Sequence, residues 1–455
     1  MFIQYEKMKT ETSLVDSVLN QLGFGWFQIR LCLLCCAGYF AVGSELLTMV
    51  MTQSGVMDSF KIGSTMEFSW LPFSANLATV VAAILVGKLS DKYGRKWPFI
   101  TCIFLSAVFA VACAFAPSWE VLILLRSVVG FGLGGLSVID FVVLVEVCPV
   151  AWRNTACQLV FFSGCLGVVY VALIGMIPWT DWLANIPAWR CMMVAGSIPL
   201  VITVFIRLVV STDTPKFLVT TGRLEEAYDL LDRIAVTNSR SLDISKSEFT
   251  DSVQQLTSEK SERGCLKDVL RMTITLPLAV VWMIQSLVYW GLTAVLPVFF
   301  DSAGISPSTG LLFMGLAELP GVVIATIISQ RESRSFALVV CWTISCIGAL
   351  LTGLSLCMHW SGTVTSVFSS LFYMFLIPAW GVLFVLTPEV YPVKDRGAGV
   401  GFQHMCRSLP SLFAPFVGAA LVDSTQDGLF MFIWSAILAG GVATSLWLSK
   451  LISRL

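Results

Sequence analysis

The sequence predicts an all-α membrane protein whose twelve transmembrane helices form two six-helix bundles. Three observations carry that expectation. The chain of 455 residues is 56% apolar and only 13% charged, about half the charge of a soluble protein, and its mean hydropathy is +0.83. Twelve apolar runs are each long enough to cross the hydrocarbon core, which takes roughly 20 helical residues. The charges gather between those runs, and the positive ones fall almost wholly on one side.

The runs lie near 29–52, 69–87, 97–116, 120–145, 156–177 and 189–209 in the first half, and near 273–299, 309–329, 336–357, 363–386, 398–421 and 428–449 in the second. They define spans one to twelve. Several contain Gly or Pro, which spanning helices tolerate when neighbours satisfy the freed backbone groups. Residues 211–270 hold about a third of all the charges and read as a solvated linker, partly helical around 225–235. The expected layout is an N-terminal segment 1–28, a bundle over 29–210, a central loop 211–270, a second bundle over 271–449 and a tail 450–455. Of the 28 Lys and Arg, Lys61 and Arg190 fall on one side and Arg126 and Arg407 within spans. All the others fall on the opposite side, together with both termini and the central loop. The positive-inside rule makes that side cytoplasmic.

Composition also excludes. The basic residues form no stripe, so nucleic acid is not a partner. Cys32-x-x-Cys35 sits in an apolar run with no His nearby, and reads as buried small hydrophobes, not as a metal or redox site. The N-terminus is polar and mixed in charge, unlike a cleaved leader. No P-loop, no His-Glu-x-x-His and only two histidines leave no basis for an enzyme, a metal or a cofactor.

After span two comes Gly87-Lys88-Leu89-Ser90-Asp91-Lys92-Tyr93-Gly94-Arg95-Lys96. Gly87 would let the helix end pack closely on a neighbour, and Gly94 would permit a tight turn. Asp91 is placed to accept from helix N-terminal amides or from Arg. This loop resembles the signature between the second and third helices of the major facilitator superfamily, where it latches the two halves on the cytoplasmic side. In span four, Arg126-x-x-x-Gly130-Phe131-Gly132-Leu133-Gly134-Gly135 formally matches a dinucleotide fingerprint, but it follows no strand and lies in an apolar span. Small residues at that spacing let helices approach in lipid, and the run resembles the superfamily's fourth-helix motif.

Corresponding segments end spans four and ten: Glu146-x-x-Pro149-x-x-x-Arg153 and Pro388-Glu389-x-Tyr391-Pro392-x-x-x-Arg396-Gly397. Their acids and arginines are expected to pair as latch residues across the cytoplasmic seam, and their repetition suggests two fused halves. Asp16…Gly23-Phe24-Gly25-x-Phe27-Gln28, Asp213-Thr214-Pro215-Lys216-Phe217-Leu218…Gly222-Arg223-x-x-Glu226-Ala227, Tyr289-Trp290-Gly291-Leu292 and Glu318-x-Pro320-Gly321-Val322 resemble the synaptic vesicle two-related proteins within the organic-ion and sugar-carrier branch. The likeness runs from about residue 14 to 445. It departs in two places. Ser329-Gln330-Arg331-Glu332-Ser333-Arg334-Ser335 lacks the Asp-x-x-Gly-Arg pattern, so the second latch is weakened or rebuilt. Span one keeps Glu45 but has Val42 where relatives carry another acid.

Charge inside a span costs at least ~2.5 kcal/mol on insertion scales and marks function by default. Five such residues stand out: Glu45, Asp140, Glu318, Arg126 and Arg407. The fixed charge and planar fork of Arg407 suit a substrate carboxylate; the alternative is an internal partner for Glu318 or another acid. His404 shares its helix face and reads as a neutral core histidine or a titrating coupler. Glu45, Asp140 and Glu318 could bind a proton or sodium ion. Tyr289, Trp290, Tyr39, Phe40 and Trp380 could line a cavity.

The resemblance implies a secondary carrier of a small organic ion or related metabolite, possible proton or sodium coupling included, which works as a monomer in the plasma membrane or a vesicle membrane. A carrier-shaped receptor or vesicle scaffold with little transport is the alternative.

Overall fold

The computed structural model describes residues 14–179, 186–210, 213–258, 266–302, 304–391, 396–424 and 428–453. Twelve helices are long and apolar enough to cross a membrane: Trp26–Met51, Thr65–Gly87, Lys96–Cys113, Trp119–Val147, Val150–Gly175, Ala188–Leu208, Thr275–Thr293, Pro307–Arg331, Arg334–Cys357, Gly362–Val390, Gly399–Val422 and Leu429–Ile452. These are spans one to twelve. Local chemistry sets several of their starts. The side chains of Ser118, Ser306 and Ser333 accept from the backbone N–H of Val121, Thr309 and Phe336, capping spans four, eight and nine. The helix of span two continues to Tyr93 and stops at Gly94, whose φ of +98° few other residues adopt.

Glycine decides how closely the spans pack. In the first bundle, span four lays Gly130 on Ala75 and Gly134 on Thr79 of span two, and turns Gly132 towards Cys102 and Ser106 of span three. In the second, Gly321 of span eight meets the backbone of Met374 in span ten. A side chain at these positions would collide with backbone or neighbouring groups, so the stripe in span four is a packing surface. Gly87 differs from its expectation, because an added Cβ there would meet nothing within 4 Å.

The bundles meet along two seams. Spans two and eleven join near the face opposite the termini: Ser69 donates to the carbonyl of Pro415 at 3.2 Å and Asn76 to that of Ser411 at 2.8 Å. Trp70 and Phe73 close against Phe416 there. Spans five and eight join along their length, with Gly315 against Val168 and Val169. On the termini side, Gln330 donates to Thr155 at 3.3 Å.

The central loop is more ordered than a solvated linker. Helices Pro215–Thr220, Leu224–Thr237 and Lys246–Ser258 share an apolar core with the N-terminal helix Leu14–Leu22, built from Val15, Leu19, Phe217, Leu231, Ile234 and Phe249. The reason is amphipathicity: high charge hides a period of apolar residues that only packing reveals. This satellite grips the first bundle. Asp16 pairs with Lys216 at 2.6 Å and with Arg153, Phe24 stacks on Trp152 at 4.7 Å, and Asn238 donates to Gln28 at 2.8 Å. Burial pushes the Asp16 carboxyl up, but Lys216 and Arg153 outweigh it and hold the group below the usual carboxylate range.

Candidate functional site

Between the bundles, aromatic rings from both halves converge. Tyr39 of span one, Phe141 of span four and Phe161 of span five face Phe384 of span ten and Trp282 of span seven. Phe141 and Phe384 stack across the seam at 5.3 Å with planes 10° apart. Phe161 and Phe384 lie 5.5 Å apart, and Tyr39 meets Phe141 and Phe161 edge-on. Trp282 and Trp380 lie 5.7 Å apart, and Tyr289 meets Trp380 edge-on at 5.9 Å. Trp290 packs on Tyr289, while Phe40 turns to Tyr170, away from these rings.

Arg407 enters this cluster from span eleven. Its guanidinium lies 5.4 Å from the Trp380 ring, 5.6 Å from Phe384 and 6.0 Å from Trp282, within cation–π range of all three. Tyr39 of the opposite half is its electrostatic neighbour. Among the described residues no acid pairs with Arg407, and its Nε is buried without a hydrogen-bond partner. Polar anchors fix the wall that carries it. Gln403, one turn earlier, donates to the Thr275 carbonyl at 3.0 Å and to the Tyr391 hydroxyl at 2.7 Å. Trp282 donates to Thr387 at 2.9 Å, and Gln285 donates to the Leu376 carbonyl and accepts from Trp342, both at 2.8 Å. His404 packs between Trp282 and Phe384.

The three intramembrane acids divide. Glu45 pairs with Arg126, joining spans one and four. Asp140 pairs with Arg207 at 2.5 Å, joining spans four and six. Arg207 is a correction: it looks like a loop cation at the end of span six, yet it is 3% exposed, donates to the Leu34 carbonyl at 3.0 Å and lies 4.0 Å from the Phe99 ring. An arginine at a span end can turn inward along its own helix when an acid waits one helix away, and no single-helix pattern reports that. Gly38 makes room for the pair, since an added Cβ would come 2.7 Å from Asp140 Oδ2. Glu318 has no ion-pair partner among the described residues and is 1% exposed, beside Cys165, Tyr289 and Tyr373.

The latch residues also pair differently from expectation. Glu146 binds Arg95 at 2.9 Å and accepts from Thr214 at 2.5 Å, Arg153 binds Asp16, and Glu389 binds Arg334 at 3.1 Å. None of these contacts joins the two bundles: Glu146 and Glu389 each end a span beside the arginine that begins a neighbouring one, and Asp16 reaches Arg153 from the N-terminal helix. Asp213 accepts from the backbone of Arg95 at 2.9 Å and of Lys96 at 3.2 Å, taking the helix-capping place expected of Asp91. The side chains of Asp91 and Arg396 lie outside the described residues. Arg334 also donates to the Ser329 carbonyl at 2.5 Å, so the departed second-half motif is rebuilt around a different arginine. No disulfide joins the described cysteines, and no group of three or more His, Cys, Asp or Glu among the described residues could hold a metal ion.

A family model described as sugar (and other) transporter matches residues 13–448. The synaptic vesicle 2-related protein of Xenopus laevis is 24% identical over 91% of this chain and 77% of its own length. The niacin transporter NiaP of Acinetobacter baylyi is 26% identical over 82% of this chain and 83% of its own. Among solved structures, the inward-open xylose transporter XylE from E. coli superposes with a TM-score of 0.75 at 17% identity, covering 93% of this chain and 96% of that one.

Proposed function

The chain belongs to the sugar (and other) transporter family, and from that membership we propose that it is a secondary carrier moving a small planar organic anion by alternating access. The observation that carries this reading is Arg407, a guanidinium between the halves with no acid paired to it among the described residues and three aromatic faces around it. A charge so placed is costly unless a counter-charge arrives. A substrate carboxylate supplies it through two parallel charge-assisted hydrogen bonds, and the rings of Trp282, Trp380 and Phe384 then hold its planar body. That one relative is a niacin transporter agrees with a small aromatic acid as substrate.

Alternating access follows from how the seams are made. The Phe141–Phe384 stack and the Gln330–Thr155 hydrogen bond close the termini side, which the charge bias makes cytoplasmic. Ser69, Asn76 and the Trp70–Phe73–Phe416 cluster close the far side. Each closure consists of a few side-chain contacts that either motion of the bundles can break. For coupling, Glu318, which has no arginine partner among the described residues, can take a proton or sodium ion without first displacing one, as Glu45 and Asp140 must. The buried Arg407 and Glu318, without ionic partners among the described residues, favour a working carrier over a receptor or scaffold, in the plasma membrane or a vesicle membrane.

Uptake of radiolabelled organic anions, cations and sugars into proteoliposomes, with and without pH or sodium gradients, tests the reading. Saturable uptake of an anion, lost in Arg407→Ala and uncoupled from the gradient in Glu318→Gln, is the expected result. A folded parent protein that moves only cations or sugars, or an Arg407→Ala variant with intact anion uptake, overturns it.

A further inference from the structure

Span five presents a second set of polar groups to the seam, beside the aromatic rings. Asn154 and Gln158 lie four residues apart and share one helix face. Both polar atoms of each carboxamide are buried without a hydrogen-bond partner among the described residues. No other buried Asn or Gln described is left so bare. Gln28 accepts two bonds at its oxygen, Gln403 donates two from its nitrogen and Gln53 keeps one, and Gln285 uses both of its groups. An unsatisfied buried amide costs about 1–3 kcal/mol, so two in adjacent turns need a reason.

Their surroundings supply one. Gln158 is 3% exposed and points across the seam at Gly381 of span ten, where an added Cβ would come 2.8 Å from its amide nitrogen. Phe161, three residues further along the same face, meets Phe384, and Phe384 in turn covers Arg407. Gly381 precedes Phe384 by three residues, so the Gln158 amide meets span ten one turn from the ring that covers Arg407. Thr155, beside Asn154, closes the seam with Gln330.

We infer that Gln158, with Asn154 behind it, is an uncharged hydrogen-bonding subsite that reads a neutral polar group on the substrate, at the end away from the carboxylate held by Arg407. This rests on the anion reading above. A carboxamide offers one acceptor and two donor hydrogens, so it takes a ring nitrogen, a carbonyl or a hydroxyl and gives nothing to a bare hydrocarbon ring. The substrate class narrows to planar acids that carry such a group.

Nicotinate and benzoate share the carboxylate and ring size but differ in one ring acceptor, so their uptake ratio in proteoliposomes isolates the subsite. The parent protein is expected to favour nicotinate about tenfold in kcat/KM, the worth of one hydrogen bond. Gln158→Met should bring the ratio near one, and Gln158→Asn, which keeps the amide but shortens its reach, should reduce it in part. Arg407→Ala should lose both acids. Equal uptake of both by the parent, or a Gln158→Met variant that slows both alike with the ratio intact, overturns the subsite and leaves the anion reading standing. Uptake of neither acid by folded parent protein removes both.

Discussion

The two bundles handle buried charge in opposite ways. In the first, Glu45 is matched by Arg126 and Asp140 by Arg207, each pair bridging two spans. In the second, Glu318 and Arg407 stand without ionic partners among the described residues. A buried pair contributes little net stability, but breaking it leaves an uncompensated charge. The first bundle therefore behaves as an internally neutral scaffold. The second holds charges that are completed only by what enters between the halves.

Arginine replacements should split most sharply along this line. Arg207→Met in the first bundle strands Asp140 and is expected to destabilise the protein by about 3–5 kcal/mol, seen as a lower unfolding midpoint in detergent. Arg407→Met should leave that midpoint unchanged or higher while abolishing anion uptake. Equal thermal losses in both would erase the contrast. Adding Asp140→Asn to Arg207→Met should recover most of the lost stability, because the two changes act on one contact and are not additive.

Glycine substitutions sharpen the comparison of the two sides of the first latch loop. Gly94→Ala should cost about 1–2 kcal/mol, since its φ is +98° and its Cβ would press on Asp213. Gly87→Ala should change stability by less than about 0.5 kcal/mol, as open space surrounds it. A large loss at Gly87 would mean that the close packing its motif suggests exists in another conformation. Smaller still is the effect of Glu389→Gln, for which about 0–1 kcal/mol is expected because the Arg334–Glu389 contact is partly exposed to solvent.

The satellite gives the last contrast, with pH as the probe. The Asp16 carboxyl is held below its ordinary value, so its contacts with Lys216 and Arg153 are fully present above the unfolded value of about 4 and are lost as pH falls through the lowered one. Proteolytic release of the N-terminal helix Leu14–Leu22 should therefore be flat from neutral pH down to about 5 and rise only in stronger acid. A rise near pH 6 would point to a different titrating group.

The sequence by itself determined the fold class, the number of spans and the family, since bilayer thickness fixes a length of apolar helix and the latch and glycine motifs recur at fixed places. It also marked which residues were costly enough to need a reason: Glu45, Asp140, Glu318, Arg126 and Arg407 were all visible as charges in apolar runs. What it could not assign was partnership. In its own helix Arg207 reads as a loop cation, Gly87 as a packing glycine, and Asn154 and Gln158 as ordinary polar residues near a span end. A hydropathy window weighs each residue within its own helix, whereas an ion pair or an orphaned amide is a property of two helices at once. Which polar groups are satisfied within the protein and which are left for a substrate is settled by packing, which brings Arg207 of span six onto Asp140 of span four and Gln158 of span five onto span ten.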